Sequence, residues 1–120
     1  MPSQIPKIFF NRAVTNTLIL VNAGKLDLVG WLLQNHSTGA YLKLYNAAST
    51  GAVTLASTVP DKILAIPTGP SGIFFMSNEN CFQQEFPLGL VIAVVSTLTE
   101  SGTAPAQACS VELSYDPTNQ

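Results

Sequence analysis

Residues 40–46 read Ala40-Tyr41-Leu42-Lys43-Leu44-Tyr45-Asn46, and this stretch decides the fold class. Leu42 and Leu44 fall on one side of an extended chain, while Tyr41, Lys43 and Tyr45 fall on the other. That period of two is the pattern of a strand buried on one face. A second stretch, Phe86-Pro87-Leu88-Gly89-Leu90-Val91-Ile92-Ala93-Val94-Val95-Ser96-Thr97, is apolar on both sides from Leu88 to Val95 apart from Gly89. It reads as a central strand covered on both faces, or as one whose outer face meets another chain. Together the two stretches predict a small all-β domain.

Working outward, Thr17–Asn22 reads as a first strand, with turn chemistry at Asn22-Ala23-Gly24-Lys25. Leu26–Asn35 follows as a second strand, in which Gly30 is a candidate bulge. The polar cluster from Asn35 to Gly39 leads into Ala40–Asn46, and these two strands are expected to pair as an antiparallel hairpin. Ala47–Pro60 is small and polar, a long connection with a short strand expected at Val53–Leu55. Lys62–Ile66, Ile73–Met76 and Cys109–Tyr115 read as further strands, and Phe82–Phe86 alternates weakly. Seven or eight short strands at spacings near ten residues predict an antiparallel β-sandwich or jelly roll. No stretch sustains a 3.6-residue apolar period. Residues 1–16 hold Pro2 and Pro6 and are read as an extended N-terminal arm, residues 17–116 as the domain, and residues 117–120 as a polar tail.

The totals point to assembly. With 120 residues the chain makes one domain, which buries roughly two-thirds of its extended-chain surface. Charged residues are 10% and hydrophobic residues 47%, where an ordinary domain carries about 25% charge. Mean hydropathy is +0.30. So much apolar surface with so little charge favours cover by another subunit, a homotrimer or homodimer. Net charge is −2 and the pI is about 5.0, so there is no basic field for nucleic acid or an anionic membrane. The longest apolar run is about half the ~20 residues of a membrane-spanning helix. The N-terminus has no apolar core of signal-peptide length.

No chemistry announces an active site. His36 is the only histidine, in a turn cluster, and Cys81 and Cys109 are isolated from it and from each other, whereas zinc needs several ligands at close spacing. The two cysteines read as reduced, buried thiols, with a disulfide as the alternative. There is no Gly-x-Ser-x-Gly elbow. The seven acids are scattered beside turns, Asn22-Ala23-Gly24-Lys25 lacks the first glycine of a phosphate loop, and Pro70 spoils the turn at Thr68–Gly72 as an anion nest. Neither a metal nor a cofactor is expected. Glu112 and Lys43 are expected to form a cross-strand surface pair, worth under about 1 kcal/mol. Trp31 belongs to the core together with Leu42, Leu44, Leu90, Ile92 and Val94. Tyr41 and Tyr45 share the face of Lys43 and are rim residues or part of an intersubunit contact.

One resemblance adds a function. Ala23-Gly24, Gly30, Asn35, the run from Ala40 to Ser49, Ile66-Pro67-Thr68-Gly69, the strand Phe86–Val94 and the closing Val111–Asp116 together resemble small structural proteins of tailed bacteriophages. The likeness spans roughly Thr17 to Asp116. It departs from the family pattern in two connections, Thr50–Asp61 and Leu98–Ala108. Its motifs are strand-packing motifs and carry no active site. The resemblance implies a non-enzymatic virion protein, similar in size to capsid cement (decoration) proteins, which are assembled in the host cytoplasm and sit on the capsid surface. The partner it implies is the major capsid protein, with bridging of neighbouring subunits as the role. A tail-tip, fibre or receptor-binding module is the alternative it leaves open. Candidate contact residues are Ile8, Phe9, Phe10 and Arg12 in the arm, where an apolar trio beside an arginine has the composition of an interface anchor, together with Tyr41, Lys43 and Tyr45. For Ile8–Phe10 the competing reading is an edge strand of the domain's own sheet.

Overall fold

A computed structural model describes residues 7–35, 40–66, 72–77, 84–97, 103–105 and 108–117. Among them, nine strands run in the order β1 (Lys7–Val14), β2 (Ile19–Ala23), β3 (Leu26–Asn35), β4 (Ala40–Asn46), β5 (Lys62–Ile66), β6 (Gly72–Ser77), β7 (Gln84–Phe86), β8 (Gly89–Val95) and β9 (Cys109–Pro117). The first sheet has the order β1-β9-β3-β6, with β7 also pairing with β3, and the second the order β2-β8-β4-β5. Every pairing is antiparallel. The chain is a β-sandwich.

The pairings nest. β1 lies against β9, β2 against β8, β3 against β6 and β7, and β4 against β5, alternating between the two sheets. The inner faces supply one core. Leu26, Leu28, Trp31, Leu33, Val111 and Leu113 of the first sheet meet Leu42, Leu44, Leu64, Leu90, Ile92 and Val94 of the second. Each buried leucine or isoleucine contributes about 1.5–3 kcal/mol. Within β3 the inward residues change phase, from Leu28 to Trp31, across a register shift between Leu28 and Gly30. The bulge expected at Gly30 lets both halves of a ten-residue strand point into the same core. Trp31 is buried, and the Lys62 ammonium lies 5.9 Å from the centre of its ring, within cation–π range.

Three expectations are corrected. Lys7–Val14 is not an irregular arm. It is an edge strand paired with β9, with Phe9 partly buried against the core; the backbone donors of this segment find their acceptors in a sheet, as buried amides require. Residues 1–6 and 118–120 lie outside the described residues. Second, β3 and β4 do not form a hairpin but belong to opposite sheets. Their apolar faces look at each other across the core. Third, Val53–Leu55 is not a strand. A 3-10 turn at Thr50–Ala52 and a turn closed by Ser57 N–H donating to Thr54 O occupy this region. Val53 and Leu55 are apolar because the connection folds down as a cover, packing with Tyr45, Ala47 and Val91.

That cover is pinned at its base. The Asn46 N–H donates to Asp61 Oδ2 at 2.7 Å, the Asp61 N–H to Leu44 O at 2.8 Å, and the Leu88 N–H to Asn46 Oδ1 at 2.7 Å. Close by, Gly89 opens β8 with φ +145°, and a Cβ there would lie 2.5 Å from Ala47 O and 2.7 Å from Asn22 O. Only glycine fits such a φ and such an approach.

A candidate interaction surface

On β9 the odd-numbered residues from Cys109 to Tyr115 face inward and the even-numbered ones outward. On β1 Phe9 faces inward and Ile8 and Phe10 outward, until the register shift after Asn11 brings Val14 into the core. Val111, Leu113 and Tyr115 are buried, while Ser110, Glu112 and Ser114 face out and are half-buried. On β1 the register pairs Phe9 with Leu113, Phe10 with Glu112 and Ile8 with Ser114. Ile8 and Phe10 therefore stand on the outer face, 62% and 55% exposed. Glu112 also pairs with Leu32 of β3, and Ser110 with Gln34. The rung Phe10–Glu112–Leu32 and its neighbour Ser110–Gln34, with Arg12 beside them, line a concavity of about 370 Å³. It offers an exposed ring, one cation, one anion, an amide and a hydroxyl. Among the described residues, neither Arg12 nor Glu112 has an ion-pair partner within the chain.

Of the seven sequence candidates, Ile8, Phe10 and Arg12 are brought together here, and Phe9 turns inward. Tyr41, Lys43 and Tyr45 lie on the outer side of the second sheet, where the outcome differs. Tyr45 is 1% exposed under Val53 and Leu55, Lys43 is 0% exposed between Ile63 and Ala93, and Tyr41 is half-buried. Lys43 is thus not a surface residue, and it makes no cross-strand pair with Glu112, which belongs to the other sheet. Alternation sorts a strand's two faces, but a remote loop decides whether the second face is wet. Leu32, Gln34, Ser110 and Glu112 are additions to the site. The outward phase of Ser110 and Glu112 is readable in the alternation of Cys109–Tyr115, but only the order β1-β9-β3 makes all four neighbours.

Among the described residues, no three His, Cys, Asp or Glu gather as metal ligands, and no helix is long and apolar enough to cross a membrane. His36, Cys81 and the turn at residues 67–71 lie outside the described residues. Cys109 is buried, and that burial pushes its thiol up from 9.0, the direction of an inert core thiol. The Lys25–Glu85 ion pair, at 3.1 Å, is half exposed and contributes little. Compared with known proteins, the chain matches no family model, no curated sequence and no solved structure.

Proposed function

We propose that this chain is a non-enzymatic bacteriophage virion protein, a jelly-roll cement protein that sits on the capsid surface and bridges subunits of the major capsid protein. The observation that carries the reading is the nested pairing β1·β9, β2·β8, β3·β6 and β4·β5, alternating between sheets. Four such nested pairs support the reading of a long ribbon wound into two Greek keys, the jelly-roll arrangement that recurs in viral shells and in lectins. Fold analogy supports a class of role rather than a reaction. The resemblance of the motif order from Ala23 to Asp116 to tailed-phage structural proteins supports a virion role within that class.

Such a protein stabilises by linkage. It binds the assembled lattice and not the free subunits, so each binding event adds to the stability of the shell it spans. A low-charge chain with Ile8 and Phe10 exposed on the outer face of a sheet suits contact with another protein. The test is copy number in purified particles, read from a stained gel against the major capsid band. Dozens of copies or more per particle supports the cement role. A handful assigns the chain to a tail structure, and its absence from particles overturns the virion reading.

A further inference from the structure

We propose that the outer face of the first sheet is a self-association surface, on which a second copy of this chain docks about a two-fold axis. In that arrangement Arg12 of each copy pairs with Glu112 of the other. Arg12 and Glu112 line the same concavity as Phe10 and Leu32, and within the chain neither has an ion-pair partner among the described residues. A heterologous contact needs two different complementary patches, whereas an isologous one needs a single patch complementary to itself. This patch holds both signs of charge, so a two-fold axis passing between Arg12 and Glu112 brings the cation of one copy to the anion of the other.

The apolar groups fit the same operation. Ile8 and Phe10 are two of the five large hydrophobic residues exposed among the described residues, and they lie beside each other on β1, the edge of its sheet. Covering them with a second copy's Phe10 and Leu32 removes from water the ring that the sandwich leaves out. An aromatic at the centre of a patch with charged groups around it is the usual layout of an interface hot spot. Charge complementarity selects the second copy over a partner of one sign. A basic partner would leave Arg12 opposed, and an acidic one would leave Glu112 opposed. The inference does not depend on the virion role, because it concerns the chain in solution.

The test is sedimentation of the full chain over a wide concentration range, with circular dichroism to verify folding. The wild type is expected to sediment as a dimer. Arg12→Glu alone and Glu112→Arg alone each set like charges against each other across the axis, and each is expected to weaken the dimer about tenfold or more. The double variant Arg12→Glu/Glu112→Arg restores the opposite pairing, and is expected to return to within about threefold of the wild type, the non-additivity that marks a direct pair. Phe10→Ser supplies an uncharged second probe and is expected to give a folded monomer. A wild type that stays monomeric, a trimer, single reversals without effect, or a double variant no better than the singles would each overturn the proposal. Particle binding is measured separately, so a monomeric variant that still decorates particles leaves the virion reading standing.

Discussion

The two outer faces of the sandwich start from similar material and end differently. On the second sheet the outward ring of Tyr45 is packed with Val91 beneath Val53 and Leu55, and β8 is buried at every position. On the first sheet the outward ring of Phe10 is more than half exposed, and β9 alternates buried and half-buried residues along its length. The difference is written in the two central strands. Gly89–Val95 is apolar throughout, as a strand covered on both faces must be, whereas Cys109–Tyr115 alternates with Ser110, Glu112 and Ser114. A continuous apolar strand signals a cover, and an alternating one signals a face left for water or for another chain.

The largest expected effect lies on the covered face. Tyr45→Ala removes a ring that is 1% exposed, and by analogy with large-to-small aromatic truncations it is expected to cost about 3–5 kcal/mol. Chemical denaturation checks this. A cost near zero would mean that the Ala47–Pro60 connection does not close over the sheet, and the contrast between the faces would collapse.

Next comes the base of the cover. Gly89→Ala places a methyl against the carbonyl oxygens of Ala47 and Asn22 in a backbone conformation that L-residues avoid. Strain and overpacking together are expected to cost on the order of 3 kcal/mol. A thermal melt of Gly89→Ala that coincides with that of the wild type would show that the close approach of β2, β4 and β8 at this corner is not held in solution.

How much of this was legible follows from which interactions are local. Leu26–Asn35 and Ala40–Asn46 are strands over the very residues expected, because alternation and flanking turn chemistry are properties of the segment itself. The expected core of Trp31, Leu42, Leu44, Leu90, Ile92 and Val94 is buried for the same reason. Partner choice is not local. The polar residues after Asn35 suit a hairpin and a sandwich corner equally, so β3 and β4 were expected side by side when they face each other. Lys43 illustrates the same limit, since its burial depends on elements remote in sequence. At the candidate surface, Ile8, Phe10 and Arg12 were visible as an apolar cluster beside a charge. Their neighbours Leu32, Gln34, Ser110 and Glu112 were not, because three strands far apart in the chain form that face.

A smaller effect sits on the inner face that both sheets share, and serves as a control for either outer face. Burial raises the Cys109 thiol above 9.0 in the folded chain. Above that pH the unfolded chain loses the proton while the folded chain keeps it, so the unfolded state binds fewer protons and stability falls as pH rises. The contribution is intact below 9.0 and is lost as pH climbs through the raised folded value. Unfolding free energies at about pH 8 and about pH 10.5 are expected to fall further apart in the wild type than in Cys109→Ala. Equal losses in the two proteins would contradict the burial of this thiol.

The smallest effect on the isolated fold is expected where the comparison is sharpest, at the other outward aromatic. Phe10→Ser trims an exposed ring on an edge strand, so at low protein concentration it is expected to change stability by less than about 1 kcal/mol, against several for Tyr45→Ala. The concentration dependence separates an idle surface from a docking one. If a second copy covers Phe10, the wild type gains stability as concentration rises, because association draws on the folded state alone. Phe10→Ser is then expected to melt at one temperature throughout, with the two proteins converging on dilution. Wild type and variant that stay parallel at every concentration would mean the ring meets only water, and the open face would differ from the covered one in exposure but not in use.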